Sequence, residues 1–475
     1  MASLVRRVLV LLVVVVLTVV AVVVLFEEET SSPPLVPGTS VDNDPLTYTE
    51  GREEAFVAAA ARGHAHVIYA KSPGGARASA ERVAQYRALV EAAAETADIE
   101  PDTLEALVLL ESAGRPDAAA DPQLEGAVGL TQILAETGRS LLEMKVDPAG
   151  ARRIGRSLRR AARAGDSALT ARLRARRRAI DERFDPPKAL AATARYLVIA
   201  RQALGRADLA VQSYHMGIGN LQNALRDYGE DDISYARLYF DSTPTHHANA
   251  YRRLAGLGDD SATYLWRIAA AREIMRLYRS DPGELDRLSQ LQNAKNSAEE
   301  VLHPEDQTEQ FTTPDDLRDA YDDGRIVALP RADLLERGIA IDRGMGELAG
   351  RLKRSRTTYR GLRKPALDLL AYVGAGVKTI SGDAPLVVTS TVRDKSYQRL
   401  LLRRNREATP NYSLHTTGWA FDVLRTYRSR PQALAFEFML GRLQSHDLIA
   451  WVREPTAIHV TVSAEAQRLA AVVSP

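Results

Sequence analysis

Apolar residues are distributed along this chain in distinct patterns. Val8 to Phe26 is an unbroken run of 19 residues, Val, Leu, Ala, Phe and one Thr, without a charge. As a helix it would extend about 28 Å, enough for a bilayer core. Arg6 and Arg7 precede it and Glu27, Glu28 and Glu29 follow, an asymmetry that predicts a cytoplasmic N-terminus. The run is long and no small-x-small cleavage site stands near Phe26, so an uncleaved anchor is favoured over a signal peptide. Residues 102–110 have another period, with Leu104, Leu107, Val108 and Leu110 on one face, Pro101 at the start and Asp98 or Asp102 as caps; they predict a helix ending at Glu111. Near the C-terminus, Trp419 to Val423 alternates and Ala457 to Val462 is apolar and β-branched, as strands are.

These patterns divide the chain. Residues 1–30 are read as a cytoplasmic tip and transmembrane anchor, and 31–84 as a stalk and leader, Ser-, Pro- and Asp-rich from Thr30 to Asp44. A helical domain is expected over 85–280. An acidic linker follows over 281–325, carrying Glu299, Glu300, Glu305, Asp306, Asp315, Asp316, Asp322 and Asp323. Residues 326–475 have the order of an α+β domain, helices first and strands last. The expected fold is therefore multi-domain, with an N-terminal transmembrane helix, an all-α domain and a C-terminal α+β domain. Single-pass localisation in the cell membrane, with both globular domains on the extracellular side, follows from it.

Composition excludes some functions. The formal charge is +1 and no basic nucleic-acid signature is present, which argues against nucleic acid as a partner. With no cysteine, the chain has neither disulfides nor thiol chemistry. Arg152 to Arg178 carries eleven arginines against one acid, Asp166, in an alanine-rich helical pair broken near Gly165. This is either a solvated helical face or a surface for anionic wall polymers or lipid headgroups. His246 and His247 are adjacent, without an evident third ligand, and read as surface residues.

Glu111 is the leading candidate for chemistry. At a helix C-terminus it meets the negative end of the dipole and an apolar wall, and both raise its pKa, as a general acid at neutral pH requires. It opens Glu111-Ser112, followed by Gly126-Ala127-Val128-Gly129-Leu130-Thr131-Gln132 and by Tyr214-His215-Met216-Gly217-Ile218-Gly219-Asn220. In this order the motifs resemble the lytic transglycosylases of the goose-type lysozyme fold, from about Tyr86 to Tyr278. Thr131, His215 and Met216 depart from the family's Met, Asn and Ala, and the stretch from Glu111 to Gly126 is about three residues longer than typical. The resemblance implies an all-α lysozyme-like domain that needs no cofactor and acts on peptidoglycan. Glu111 would be its one catalytic acid and base. Gly129, Gln132, Tyr214, His215, Gly217 and Tyr264 would line the glycan groove, with Tyr214 stacking on a sugar or holding Glu111.

A second constellation reads Ser413-x-His415-x-x-Gly418-x-Ala420-x-Asp422, with His459 following in Ala457-Ile458-His459-Val460. It resembles the zinc D-alanyl-D-alanine carboxypeptidases. The resemblance implies His415, Asp422 and His459 as ligands of Zn²⁺, and Arg393 as the residue that stabilises the oxyanion. Ala457 and Thr456 stand where that family places its general base, and Glu454 is the nearest acid. A working peptidase and a domain that only binds stem peptide both remain open.

Together these readings predict a membrane-anchored enzyme of peptidoglycan remodelling. It would cleave the bond between N-acetylmuramic acid and N-acetylglucosamine with formation of 1,6-anhydro ends. The alternatives are a muramidase-type hydrolase with a non-catalytic wall-binding domain, and an inactive cell-wall scaffold.

Overall fold

The computed structural model describes residues 44–294, 297–404 and 411–473, together with Pro34 and Val36. The helices that carry the candidate sites and the junction between the cores are α1 (Glu53–Gly63), α2 (Pro101–Ser112), α3 (Pro148–Arg163), α4 (Ser167–Ile180), α5 (Pro186–Leu204), α6 (Ala207–Met216), α7 (Ile218–Tyr228), α8 (Tyr235–Asp241), α9 (Ala248–Ala255), α10 (Tyr264–Ser280), α11 (Pro282–Asn293), α12 (Ser297–Leu302) and α13 (Pro314–Asp322). Helix α2 begins with Pro101 at its first position, where a missing N–H costs nothing. Neither expected cap serves it: Asp98 closes the preceding helix in a left-handed conformation, and Asp102 pairs with Arg87 at 2.6 Å. Leu104, Leu107 and Val108 are fully buried, and α2 packs lengthwise on α10. Asp147, Asp166 and Asp185 cap α3, α4 and α5 through their side chains.

The C-terminal region is a five-stranded mixed sheet of order β2-β4-β5-β7-β6. Its strands are β2 (Ile339–Ile341), β4 (Leu386–Ser390), β5 (Ala420–Leu424), β6 (Ile449–Arg453) and β7 (Ala457–Val462); β1 (Val327–Ala328) and β3 (Gly361–Leu362) form a separate pair. Only the β2–β4 pairing in the larger sheet is parallel. Helices α14 (Lys364–Ser381) and α15 (Arg430–Ser445) pack together. They share a core with Phe421 and Val423 of β5 and Ile458, Val460 and Val462 of β7. Side chains alternate across a strand, so the residues between these, Asp422 and His459, project to the opposite face. They are direct cross-strand partners.

Several expectations need correction. Among the described residues no helix is long and apolar enough to cross a membrane. The long helices α5 and α14 are interrupted by Lys188, Arg195 and Arg201, and by Lys364, Asp368 and Lys378. This overturns the transmembrane part of the expected fold class and the single-pass membrane localisation; Val8 to Phe26 itself lies outside the described residues. The stretch 31–84 is not a stalk throughout. Val36 and Leu46 belong to the C-terminal core, and Phe56 of α1 to the helical one. The stretch 281–325 contains α11, α12 and α13, and acids in it pair with arginines distant in sequence: Glu309 with Arg363 at 2.7 Å and Asp315 with Arg354 at 2.6 Å.

The two cores meet where α1 crosses α15. Gln444 Nε2 donates to the Gly63 carbonyl at 2.8 Å, Arg62 pairs with Asp447 at 2.6 Å, and His446 packs on Phe56 and Phe240. A Cβ on Gly63 would stand 1.9 Å from the Gln444 carbonyl oxygen. Gly63→Ala is therefore expected to lower stability by about 1–3 kcal/mol through overpacking, read as a lower urea midpoint. An unchanged midpoint would mean that the helices part without cost.

Candidate functional site

Helix α2 ends at Ala113 in a left-handed conformation, leaving half-buried Glu111 in its last turn. Ser112 Oγ donates to the Leu130 carbonyl at 2.6 Å, tying this turn to the glycine-rich segment. That segment folds back on itself through paired backbone bonds between Val128 and Ile133. Gly129 has φ +82°, and a Cβ there would lie 1.9 Å from the Arg183 carbonyl oxygen, so only glycine fits. Gln132, also left-handed, donates from Nε2 to the Gly129 carbonyl at 2.8 Å.

The tyrosines divide the work. Tyr264, buried at the start of α10, donates its hydroxyl to Glu111 Oε1 at 2.7 Å. Tyr214 does not hold Glu111; its hydroxyl donates to the Thr131 carbonyl at 2.7 Å and fixes the turn from the other side. The two rings stack at 6.5 Å, and exposed His215 lies over Tyr264 at 5.3 Å with Nδ1 2.7 Å from Ser261 Oγ. Gly217, at φ +87°, separates α6 from α7, whereas Gly219 is an ordinary helical residue of α7.

Burial pushes the Glu111 carboxyl up to about 7; the Tyr264 hydrogen bond and Arg267 oppose this and Asp260 adds to it. Desolvation is thus the leading cause. Asp260 is ion-paired to Arg267, so it does not stand as a second free carboxylate.

On the outer face of the sheet His415, Asp422 and His459 converge, all buried. His415 comes from the short turn of 3₁₀ helix Leu414–Thr417 that precedes β5. Its Nδ1–H donates to the Thr391 carbonyl at 2.8 Å, so Nε2 faces Asp422 Oδ1 at 3.2 Å. His459 presents Nδ1 to the same oxygen at 2.7 Å. Its Nε2 lies 3.1 Å from Glu299 Oε1 on α12. A tetrahedral ion with bonds of ~2.05 Å separates its ligand atoms by about 3.3 Å, so these atoms are spaced as zinc ligands are. His415 is fixed through its far nitrogen, as metal-binding histidines are, and the far nitrogen of His459 meets Glu299 at ion-pair distance.

The electrostatics fit. Burial, then Arg393, pushes His415 down to about 4, keeping it neutral as a ligand must be. At His459 burial is outweighed by Glu299 and Asp422, which push it up to about 9. A metal would displace that proton. Although burial works against its charge, Asp422 is held well below the usual carboxylate range by His415 and His459.

Arg393 and Glu454 line the same cleft of about 310 Å³ as Asp422. Arg393 is directed by Gln398 at 3.1 Å and lies 3.4 Å from Asp422 Oδ2. Glu454 enters through the β6–β7 turn, where its backbone N–H donates to the Ala457 carbonyl at 3.0 Å.

Sequence reasoning missed Glu299, which looked like one more solvated acid. The signal was the Val301-Leu302 pair beside it, which marks a short helix with a buried side. It also misread His246 and His247. Asp241 supplies a third group, and the left-handed backbone of His247 (φ +46°) turns both rings toward it. Both triads are compatible with a metal ion.

Compared with known proteins, the chain matches no protein-family model and no curated protein.

Since Glu299 is the outer partner of His459, Glu299→Ala should weaken zinc binding at this site by about 10–100-fold. Glu299→Gln should cost less, because the amide oxygen still accepts. Chelator competition measures both, and an affinity unchanged in Glu299→Ala would remove Glu299 from the site.

Proposed function

We propose that this protein remodels peptidoglycan, with the helical region acting as a lytic transglycosylase through Glu111. The observation that carries the reading is a lone carboxyl held by Tyr264 and raised to about 7 by burial, beside a rigid glycine-containing turn. Ordinary glycosidases use two carboxylates. One suffices when the substrate supplies the nucleophile. Glu111 protonates the oxygen between N-acetylmuramic acid and N-acetylglucosamine, then takes the proton of the muramoyl C6 hydroxyl as that oxygen attacks C1. The glycosidic C–O bond breaks, a 1,6-anhydro ring forms, and no water is consumed. Gln132 and His215 would contact the sugars, and the exposed arginines of α3 and α4 suit anionic wall polymers.

The C-terminal domain is proposed to act on, or bind, the stem peptide. His415, Asp422 and His459 would hold zinc, which supplies a polarised water and a Lewis acid. Arg393 would meet a developing oxyanion and Glu454 would take a proton; that both line one cleft with Asp422 supports cleavage over binding alone.

Glu111→Gln should reduce glycan cleavage by about 10²–10⁴-fold while the chain stays folded. Products of the wild type should carry anhydro ends; reducing ends would make the enzyme a hydrolase. Because Glu111 must be protonated to act, wild-type kcat/KM should fall about tenfold per pH unit above about 7. A flat alkaline profile would exclude Glu111 as the acid.

Glu454→Gln should retain zinc and lose stem-peptide cleavage. If the zinc-loaded wild type cleaves no peptide, the domain is a binding module.

A further inference from the structure

The loop between α8 and α9 has no part in either proposed catalytic site. Asp241, the last residue of α8, is 5 % exposed. Its Oδ2 accepts a hydrogen bond from Tyr228 Oη, and Tyr228 in turn receives one from Arg237 Nε at 3.2 Å. Oδ1 accepts no hydrogen bond. Yet His246 Nδ1 approaches it to 2.9 Å, so nitrogen and oxygen face each other without an N–H aligned between them. The same nitrogen donates its N–H to the Asp241 carbonyl at 3.2 Å, a bond that an ion would replace by moving the proton to Nε2 and ligating Nδ1.

His247 makes the same point more sharply. A carbonyl can only accept, so the 2.9 Å contact of Nδ1 with the Tyr228 carbonyl places the proton of a neutral ring on Nδ1. Its Nε2 lone pair then faces Asp241 Oδ2 at 3.6 Å. The ring is clamped against Tyr228 at 3.8 Å and 14°. Its backbone is held left-handed at φ +46°, a conformation that is strained for a non-glycine residue. The loop itself is tied: Thr243 N–H donates to the His246 carbonyl at 2.7 Å, and His246 N–H to Thr243 Oγ1 at 2.9 Å. A buried carboxylate oxygen that faces an imidazole lone pair, as Asp241 Oδ2 faces His247 Nε2, is repelled unless a cation stands between them. The separations of 2.9 and 3.6 Å bracket the ligand spacing of about 3.3 Å expected around tetrahedral zinc.

We propose that Asp241, His246 and His247 form a second metal site, for a zinc-class divalent ion with a solvent molecule in the fourth position. Two imidazoles and a carboxylate select this class over calcium or magnesium. The ion locks the corner where the two cores meet. The Ser242 carbonyl, next to Asp241, accepts from Arg442 Nη2 of α15 at 2.8 Å, and Tyr251 of α9 packs edge-on against Phe438 of α15 at 5.1 Å. The site lies apart from the residues proposed for catalysis, so its filling should change stability without requiring either activity.

The test uses the full chain carrying His415→Ala, which removes the other triad, with Zn²⁺ and Co²⁺ as probes. Bound metal is counted after dialysis, and cobalt binding is followed by its visible absorption. The expected result is one zinc per chain, a tetrahedral cobalt spectrum, and a thermal midpoint that rises on adding zinc. Adding His246→Gln, at a partly exposed position that tolerates the change, should weaken binding by about tenfold or more and remove the rise. His247→Asn, which keeps a residue suited to the left-handed backbone, should do the same. If the folded His415→Ala chain binds no zinc, the cluster is a protonated histidine–aspartate network and the proposal fails. Binding that survives both loop substitutions overturns it equally, by placing the metal elsewhere.

Discussion

A single buried cation organises the junction on which this molecule depends. Arg442 is 5 % exposed, and Tyr239, Phe240 and Phe438 surround its guanidinium at 4.7 to 5.3 Å. Burial holds its pKa below the usual arginine range. Aromatic faces and the Ser242 carbonyl take the place of water. Because Tyr239 and Phe240 belong to α8 and Phe438 to α15, this replacement for water is complete only when the helical core and the sheet core are together. Each core is therefore part of the other's solvent.

The two sites solve opposite electrostatic problems. At Glu111 the fold withholds compensation, so the carboxyl keeps its proton near neutrality. At Asp422 two imidazoles supply it, and the carboxylate stays ionised despite burial. The same residue class thus keeps its proton near neutrality in one core and stays ionised in the other. The difference lies in what the neighbouring strand or helix brings to it.

Much of this could be read from local pattern. The period of residues 102–110 placed Glu111 at a helix end, and the alternation of 419–423 and the β-branched run 457–462 put Asp422 and His459 on strands. Local pattern is silent about distant partners. Glu299 reaches His459 from far upstream in the chain, and the acids around it are paired with arginines such as Arg354 and Arg363 that only tertiary structure brings near. Tyr214 and Tyr264 could not be ranked as partners of Glu111, since that depends on how α6 and α10 lean on α2. The pairing of His246 with His247 turned on one backbone angle, and adjacent side chains diverge unless such an angle intervenes. The apolar run near the N-terminus had no competing pattern to weigh against it, whereas the described helices carry charges that such a run lacks.

Val36 and Leu46 lie in the C-terminal core, and Asp44 accepts a hydrogen bond from Tyr372 at 3.2 Å. During synthesis, then, the segment holding Val36 and Leu46 emerges well before helices α14 and α15 and must wait for them before it has anywhere to go. Contacts of such sequence separation are slow to form, because the long intervening chain must be closed first. The helical core can gather as it is made, but the order of assembly is circular: Val36 and Leu46, which come before that core in the chain, are sewn in after it.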